Sequence, residues 1–195
     1  MYAPDLKGFG DNSNMPYAYS LDDYVNEVRE YILRNSLVKP LVVAHSFGAR
    51  IVIKGLYDKK LDFEKVVITG GAGLKPKRTL KKTINKIKFN IYKHLVPKQK
   101  LTKFYSSDYL ALNSIMKQSF VKIVNETLDY TMPNIDTPTL LIFGKNDKET
   151  PLYMARRFNK GLLNATLSVY NNAGHFCFIS DANKFNLEVR EFFLS

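Results

Sequence analysis

The stretch Leu41–Val52, "LVVAHSFGARIV", decides the fold. Strand-forming aliphatic residues run into a serine, and helix-forming residues follow at once. Small residues stand two places before and after that serine, Ala44 and Gly48, giving A-H-S-F-G. In a nucleophile elbow a strand ends in a strained turn and a helix starts immediately, so one side chain is pushed out above the sheet. The two flanking side chains meet across such a turn and have to be small. The side chain displayed here is Ser46. A small-x-Ser-x-small pentapeptide also arises by chance, so the reading depends on what the rest of the chain places beside it.

Working outward, apolar runs alternate with helical periodicity. Pro40–Ala44 precedes the serine, and the residues after it read as a helix to about Tyr57. "KVVITG" (Lys65–Gly70), "TLLIFG" (Thr139–Gly144) and "TLSVY" (Thr166–Tyr170) are further strands. Ser20 with Asp23 resembles a capping box, and Leu21, Tyr24, Val25, Val28, Tyr31 and Ile32 form the helical stripe that follows it. Tyr109 to Thr127 reads as one helix and Pro151 opens another. Phe185, Val189, Phe192 and Phe193 make the inner face of a closing helix. Strands separated by helices predict an α/β fold, a mostly parallel sheet covered on both faces. Functional residues of such sheets collect just past the C-terminal ends of the strands.

Three residues satisfy that rule together. Ser46 follows one strand, Asp147 lies three residues past Gly144, and His175 follows Gly174 after the last strand. A serine hydroxyl is a poor nucleophile until a base takes its proton, which a neutral imidazole does near pH 7. The carboxylate fixes the imidazole tautomer and stabilises the imidazolium. Ser46, Asp147 and His175 are therefore the candidate catalytic triad. Glu149 is a weaker alternative acid. His45 is expected to pack beside the strand, His94 to lie on the surface, and Cys177, among aromatics, to be a buried small hydrophobe. The scattered histidines and acids have no metal-ligand spacing, and Gly70, Gly71 and Gly73 lack a phosphate-cradling context. No metal or cofactor is expected.

A chain of 195 residues with 45% hydrophobic residues can bury a single-domain core. One cysteine excludes an intramolecular disulfide. Neither a signal peptide nor a membrane-spanning run is evident, so a cytoplasmic location is expected. The net charge of +11 comes from one place: Lys75 to Lys103 carries eleven Lys or Arg and no acid, and the remaining 18 basic side chains balance the 18 acidic ones. Within it Leu80, Ile84, Ile87, Ile91 and Leu95 fall at helical spacing among lysines. The expectation is a solvated helix packed by one stripe, with weak contact to an anionic surface and no nucleic-acid partner.

The pieces "APDLKGFGDN", "AHSFGAR", "PTLLIFGKNDKETP" and "AGHF" span nearly the whole chain, and together they resemble the α/β-hydrolase superfamily. The resemblance implies a serine hydrolase with Ser46 as nucleophile, Asp147 as acid and His175 as base, cleaving a carboxylic ester, thioester or related acyl bond of a small molecule. It also implies a core of residues 1–73 and 129–195 and a helical lid over 74–128. Members of the superfamily open with several more strands and a loop that completes the oxyanion hole. The resemblance therefore implies an N-terminally truncated core with one oxyanion donor, the backbone N–H of Phe47. A fragment of a longer hydrolase is expected, or a chain that self-associates through the exposed edge of the Pro40–Ala44 strand. The alternative function is a catalytically impaired relative that binds through its basic lid.

Overall fold

The computed structural model describes residues 1–77 and 107–195. The lysine-rich stripe from Leu80 to Leu95 and His94 lie outside the described residues. Four strands, β1 (Val42–His45), β2 (Val66–Thr69), β3 (Thr139–Gly144) and β4 (Ala165–Tyr170), form a parallel sheet in the order β1-β2-β3-β4. The register pairs Ala44 with Ile68, Ile68 with Leu141 and Leu141 with Leu167. All four strands therefore end at one edge of the sheet. The helices are α1 (Leu21–Arg34), α2 (Phe47–Tyr57), α3 (Ser107–Ala111), α4 (Ser114–Asn125), α5 (Leu152–Gly161), α6 (Cys177–Ser180) and α7 (Ala182–Leu194).

Strand side chains alternate between the two faces. Val66, Ile68, Leu141 and Phe143 join one core cluster with residues of α1, α2 and α5. Val67, Leu140 and Ile142 join a second, closed by Phe185, Val189, Phe192 and Phe193 of α7. Both faces of β2 and β3 are thus dry, which is why these strands read as continuous apolar runs. Burying each such side chain contributes roughly 1.5–3 kcal/mol.

Local chemistry sets the element ends. At α1 the Asp23 N–H donates to Ser20 Oγ (3.3 Å) and the Ser20 N–H to the Asp23 carboxylate (2.7 Å), completing the capping box. The first strand starts at Val42 rather than Pro40, because Pro40 has no N–H and Lys39 holds a positive φ of 40°. The second stops at Thr69, because Gly70 turns to φ 53°. The single helix expected from Tyr109 to Thr127 is two. Asn113 breaks it and caps α4, its side-chain oxygen accepting from the Met116 N–H at 2.8 Å.

β1 is the outer strand on its side, with Val43 48% and Leu41 44% exposed. Among the described residues no helix is long and apolar enough to cross a membrane.

Candidate active site

Ser46 stands between β1 and α2 with φ 46° and ψ −105°, a backbone conformation that costs a non-glycine residue about 1–3 kcal/mol. The turn is held from both sides. The Ser46 N–H donates to Thr69 O (3.0 Å), and Ser46 O accepts from the N–H groups of Ala49 (3.2 Å) and Ala72 (3.1 Å). A Cβ at position 48 would lie 3.5 Å from the Ala44 Cβ. A methyl on each side just touches and anything larger collides, which is the physical content of A-H-S-F-G. The helix begins at Phe47, whose N–H is one of the first-turn donors with no acceptor in its own helix.

Asp147 sits on the loop after β3 and is 5% exposed. One carboxylate oxygen accepts from the N–H groups of Glu149 (2.8 Å) and Thr150 (2.9 Å), an arrangement typical of an Asx turn. The other accepts from the Thr150 hydroxyl (2.7 Å) and lies 2.8 Å from His175 Nδ1. Burial works to raise the Asp147 pKa, but the hydrogen bonds from His175 and Thr150 outweigh it, and the carboxyl lies below its ordinary value. The two loops dock through backbone. Lys145 N–H donates to Tyr170 O (2.9 Å) and Asn146 N–H to Ala173 O (3.0 Å), while a Cβ at Gly144 would fall 2.1 Å from Gly174 O. Only glycine lets the His175 loop approach the Asp147 loop this closely.

The His175 ring lies against Gly70, just past β2, and 4.6 Å from the His45 ring, centroid to centroid. This puts it beside the turn that carries Ser46. Its Nε2 is 3.4 Å from the carboxylate of Glu149, whose side chain is 63% exposed. Glu149 is therefore not the buried acid at Nδ1; Asp147 holds that place. His45, the last residue of β1, has Nδ1 3.0 Å from Thr69 O of the neighbouring β2, and its ring packs against those of His175, Phe176 and Phe178. Burial, then the neighbouring His175, lowers its pKa, so it is neutral near pH 7. Cys177 is buried with its sulfur 3.0 Å from Thr69 Oγ1, and burial raises its pKa away from thiolate chemistry.

A cavity of about 300 Å³ opens beside Ser46. Phe9 and Phe47 stack on one wall with ring centroids 6.0 Å apart, and Met116, Phe120, Ile123 and Val124 of α4 form the other. Arg50 lies one helical turn beyond Ser46, and its Nη1 donates to Ile123 O and Glu126 O, both at 2.9 Å. Lys54, a turn further, binds the Glu126 carboxylate at 2.6 Å. The nucleophile helix thus grips the C-terminal end of α4. Arg50, Thr150 and the α4 wall were not singled out from the sequence. The i, i+4 spacing of Ser46, Arg50 and Lys54 was an available signal for the first; the α4 wall gave none beyond its amphipathicity.

Comparison with known proteins agrees with this fold. The family model described as "Serine aminopeptidase, S33", a hydrolase family, matches residues 1–181. AB hydrolase superfamily protein YisY of Bacillus subtilis (strain 168) is 23% identical over 212 residues, covering 96% of this chain and 79% of its own. An esterase from Exiguobacterium antarcticum superposes with a TM-score of 0.75 at 18% identity, over 97% of this chain and 79% of the esterase. The meta-cleavage product hydrolase of Pseudomonas fluorescens IP01 superposes with a TM-score of 0.71 at 21% identity, over 98% of this chain and 78% of that one.

Proposed function

The chain belongs to the serine aminopeptidase S33 family of α/β hydrolases, and we propose that it is a serine hydrolase cleaving a carboxylic ester, thioester or related acyl bond through an acyl-Ser46 intermediate. One observation carries the reading. A buried, hydrogen-bonded carboxylate orients His175 through Nδ1, beside a serine held at positive φ above the sheet edge. Asp147 keeps the Nδ1 proton in place and leaves Nε2 unprotonated, the nitrogen that takes the proton of Ser46 Oγ. The oxygen attacks the acyl carbon, and the oxyanion develops toward the helix N-terminus, where the Phe47 N–H donates. The imidazolium then returns its proton to the departing group, and water repeats the sequence to release the acid.

Related names span an esterase, a meta-cleavage product hydrolase and a serine aminopeptidase. The family therefore supplies hydrolysis, and the acyl bond is assigned from the triad chemistry. The 74–128 segment, to which α4 belongs, acts in this proposal as the lid. The test is fluorophosphonate labelling with site mapping by mass spectrometry. Labelling at Ser46, lost together with ester hydrolysis in Ser46→Ala, is expected. An unlabelled, folded protein would refute the reading and leave the binding function of the basic segment in its place.

A further inference from the structure

We infer that the cavity beside Ser46 is the acyl pocket and takes a short, uncharged, apolar acyl group, with the leaving group on the opposite side against His175. The inference rests on the proposed role of Ser46. In acylation the Oγ–carbon bond forms and the bond to the leaving oxygen or sulfur breaks, while the Oγ proton passes through Nε2 to that leaving atom. The leaving group therefore has to lie within reach of His175. The cavity is lined by Ser46 and by Phe47, whose N–H is the proposed oxyanion donor, and His175 is not among the lining residues described. Its lining continues along α4 through Met116, Phe120, Ile123 and Val124, which assigns it to the acyl half.

The lining decides the chemistry. Met116, Phe120, Ile123 and Val124 present hydrocarbon or thioether. The polar groups on the wall are already engaged: Ser119 Oγ donates to Ile115 O (3.3 Å) and the Tyr24 hydroxyl to Lys7 O (2.8 Å). Arg50 spends Nη1 on the two carbonyls at the end of α4, where a cation is favoured by the helix dipole. An acyl carboxylate would thus enter a largely apolar space whose one cation among the described residues already spends Nη1 on the end of α4. A volume of about 300 Å³ is at the small end for ligand sites. At ~30 Å³ per water-sized group it holds roughly ten such groups, which suits a short acyl chain and not a long fatty tail.

The experiment uses p-nitrophenyl acetate, butyrate, hexanoate, octanoate, decanoate and hemisuccinate with the full chain, alongside fluorophosphonate labelling. Expected is a kcat/KM that rises about fourfold per methylene seated, the factor for moving one methylene from water to an apolar lining, and that stops rising by decanoate, where the space is used up. The hemisuccinate should be at least about tenfold poorer than the butyrate, given the cost of an unpaired charge in apolar surroundings. Val124→Trp should move the optimum toward acetate, and Phe120→Ala toward longer chains. Both positions are 39% exposed, so the fold tolerates them. A flat chain-length profile in a protein that labels at Ser46 overturns the inference and leaves the serine-hydrolase reading standing. Preference for the hemisuccinate, lost in Arg50→Met, overturns the uncharged class. Absence of labelling overturns both.

Discussion

Replacing Asp147 by asparagine isolates the role of the buried carboxylate, because the structure dictates how the amide must sit. The oxygen that accepts from the Glu149 and Thr150 N–H groups has to remain an oxygen. Turning the amide the other way would set its NH2 against two donors, and each buried donor left without a partner costs about 1–3 kcal/mol. The NH2 therefore faces His175 Nδ1, 2.8 Å away in the parent. It donates there, so the imidazole must carry its proton on Nε2, the nitrogen that should accept from Ser46. The Thr150 hydroxyl oxygen could accept from an Nδ1–H, but at 3.4 Å it is a neutral, long and therefore weak substitute for the carboxylate. The expected loss in kcat is about 10⁴-fold, or roughly 5.5 kcal/mol at 1.36 kcal/mol per decade. KM should change little, since Asp147 is absent from the cavity lining. Stability follows the sign of the Asp147 shift. A lowered folded-state pKa contributes stability above the ordinary value near 3.8 that is lost as pH falls through the lower folded value. Wild type should therefore exceed Asp147→Asn in urea unfolding at pH 7 and approach it as pH falls below 3.8. Steady-state hydrolysis of p-nitrophenyl butyrate and urea titrations measure both effects. A loss of less than tenfold in kcat, with the variant folded, would refute the tautomer argument.

Ser46→Gly should abolish hydrolysis yet raise unfolding free energy by about 1 kcal/mol, because glycine relieves the positive φ of the turn; a drop in the urea midpoint would count against strain at this residue. Glu149→Ala should speed fluorophosphonate labelling up to about fivefold at low salt, since the exposed carboxylate 3.4 Å from Nε2 can only accept and so favours a proton on the nitrogen that Ser46 needs free. The difference should vanish near 1 M salt, where screening reaches ~3 Å, and a salt-independent effect would point to another cause. Lys54→Met should cost about 1–3 kcal/mol, between the surface and fully buried limits, because the lysine is 8% exposed among Asp22, Asp58 and Glu126; unchanged thermal unfolding would deny the grip on α4 any energetic role. Val43→Lys, on the exposed outer strand, should shift size-exclusion elution toward a single monomer peak if that edge pairs with a second copy, and identical profiles would remove self-association through β1.

By itself the sequence determined the α/β class, the strands and the identity of the residues past their ends. Those features rest on local rules: Val66–Thr69 and Thr139–Gly144 are dry on both faces and so read as unbroken aliphatic runs, and Ala44 and Gly48 are small because they meet across a turn of a few residues. Ser20 with Asp23 sits within one helical turn, and its capping box appears as expected. Boundaries were less legible, because the break at Asn113 is a contest between a side-chain cap and continued helix that periodicity does not weigh. What only the tertiary structure decided is which groups meet over long sequence separations. Asp147 and His175 are joined by the backbone contact of Gly144 with the Gly174 loop. Arg50 reaches the carbonyl of Ile123 across 73 residues. The pocket wall comes from a helix whose own pattern says only that one face is apolar. Local pattern fixes what a segment becomes; the partner of each exposed face is chosen by the packing of the whole chain, and that packing sets α4 over an apolar cavity beside Ser46.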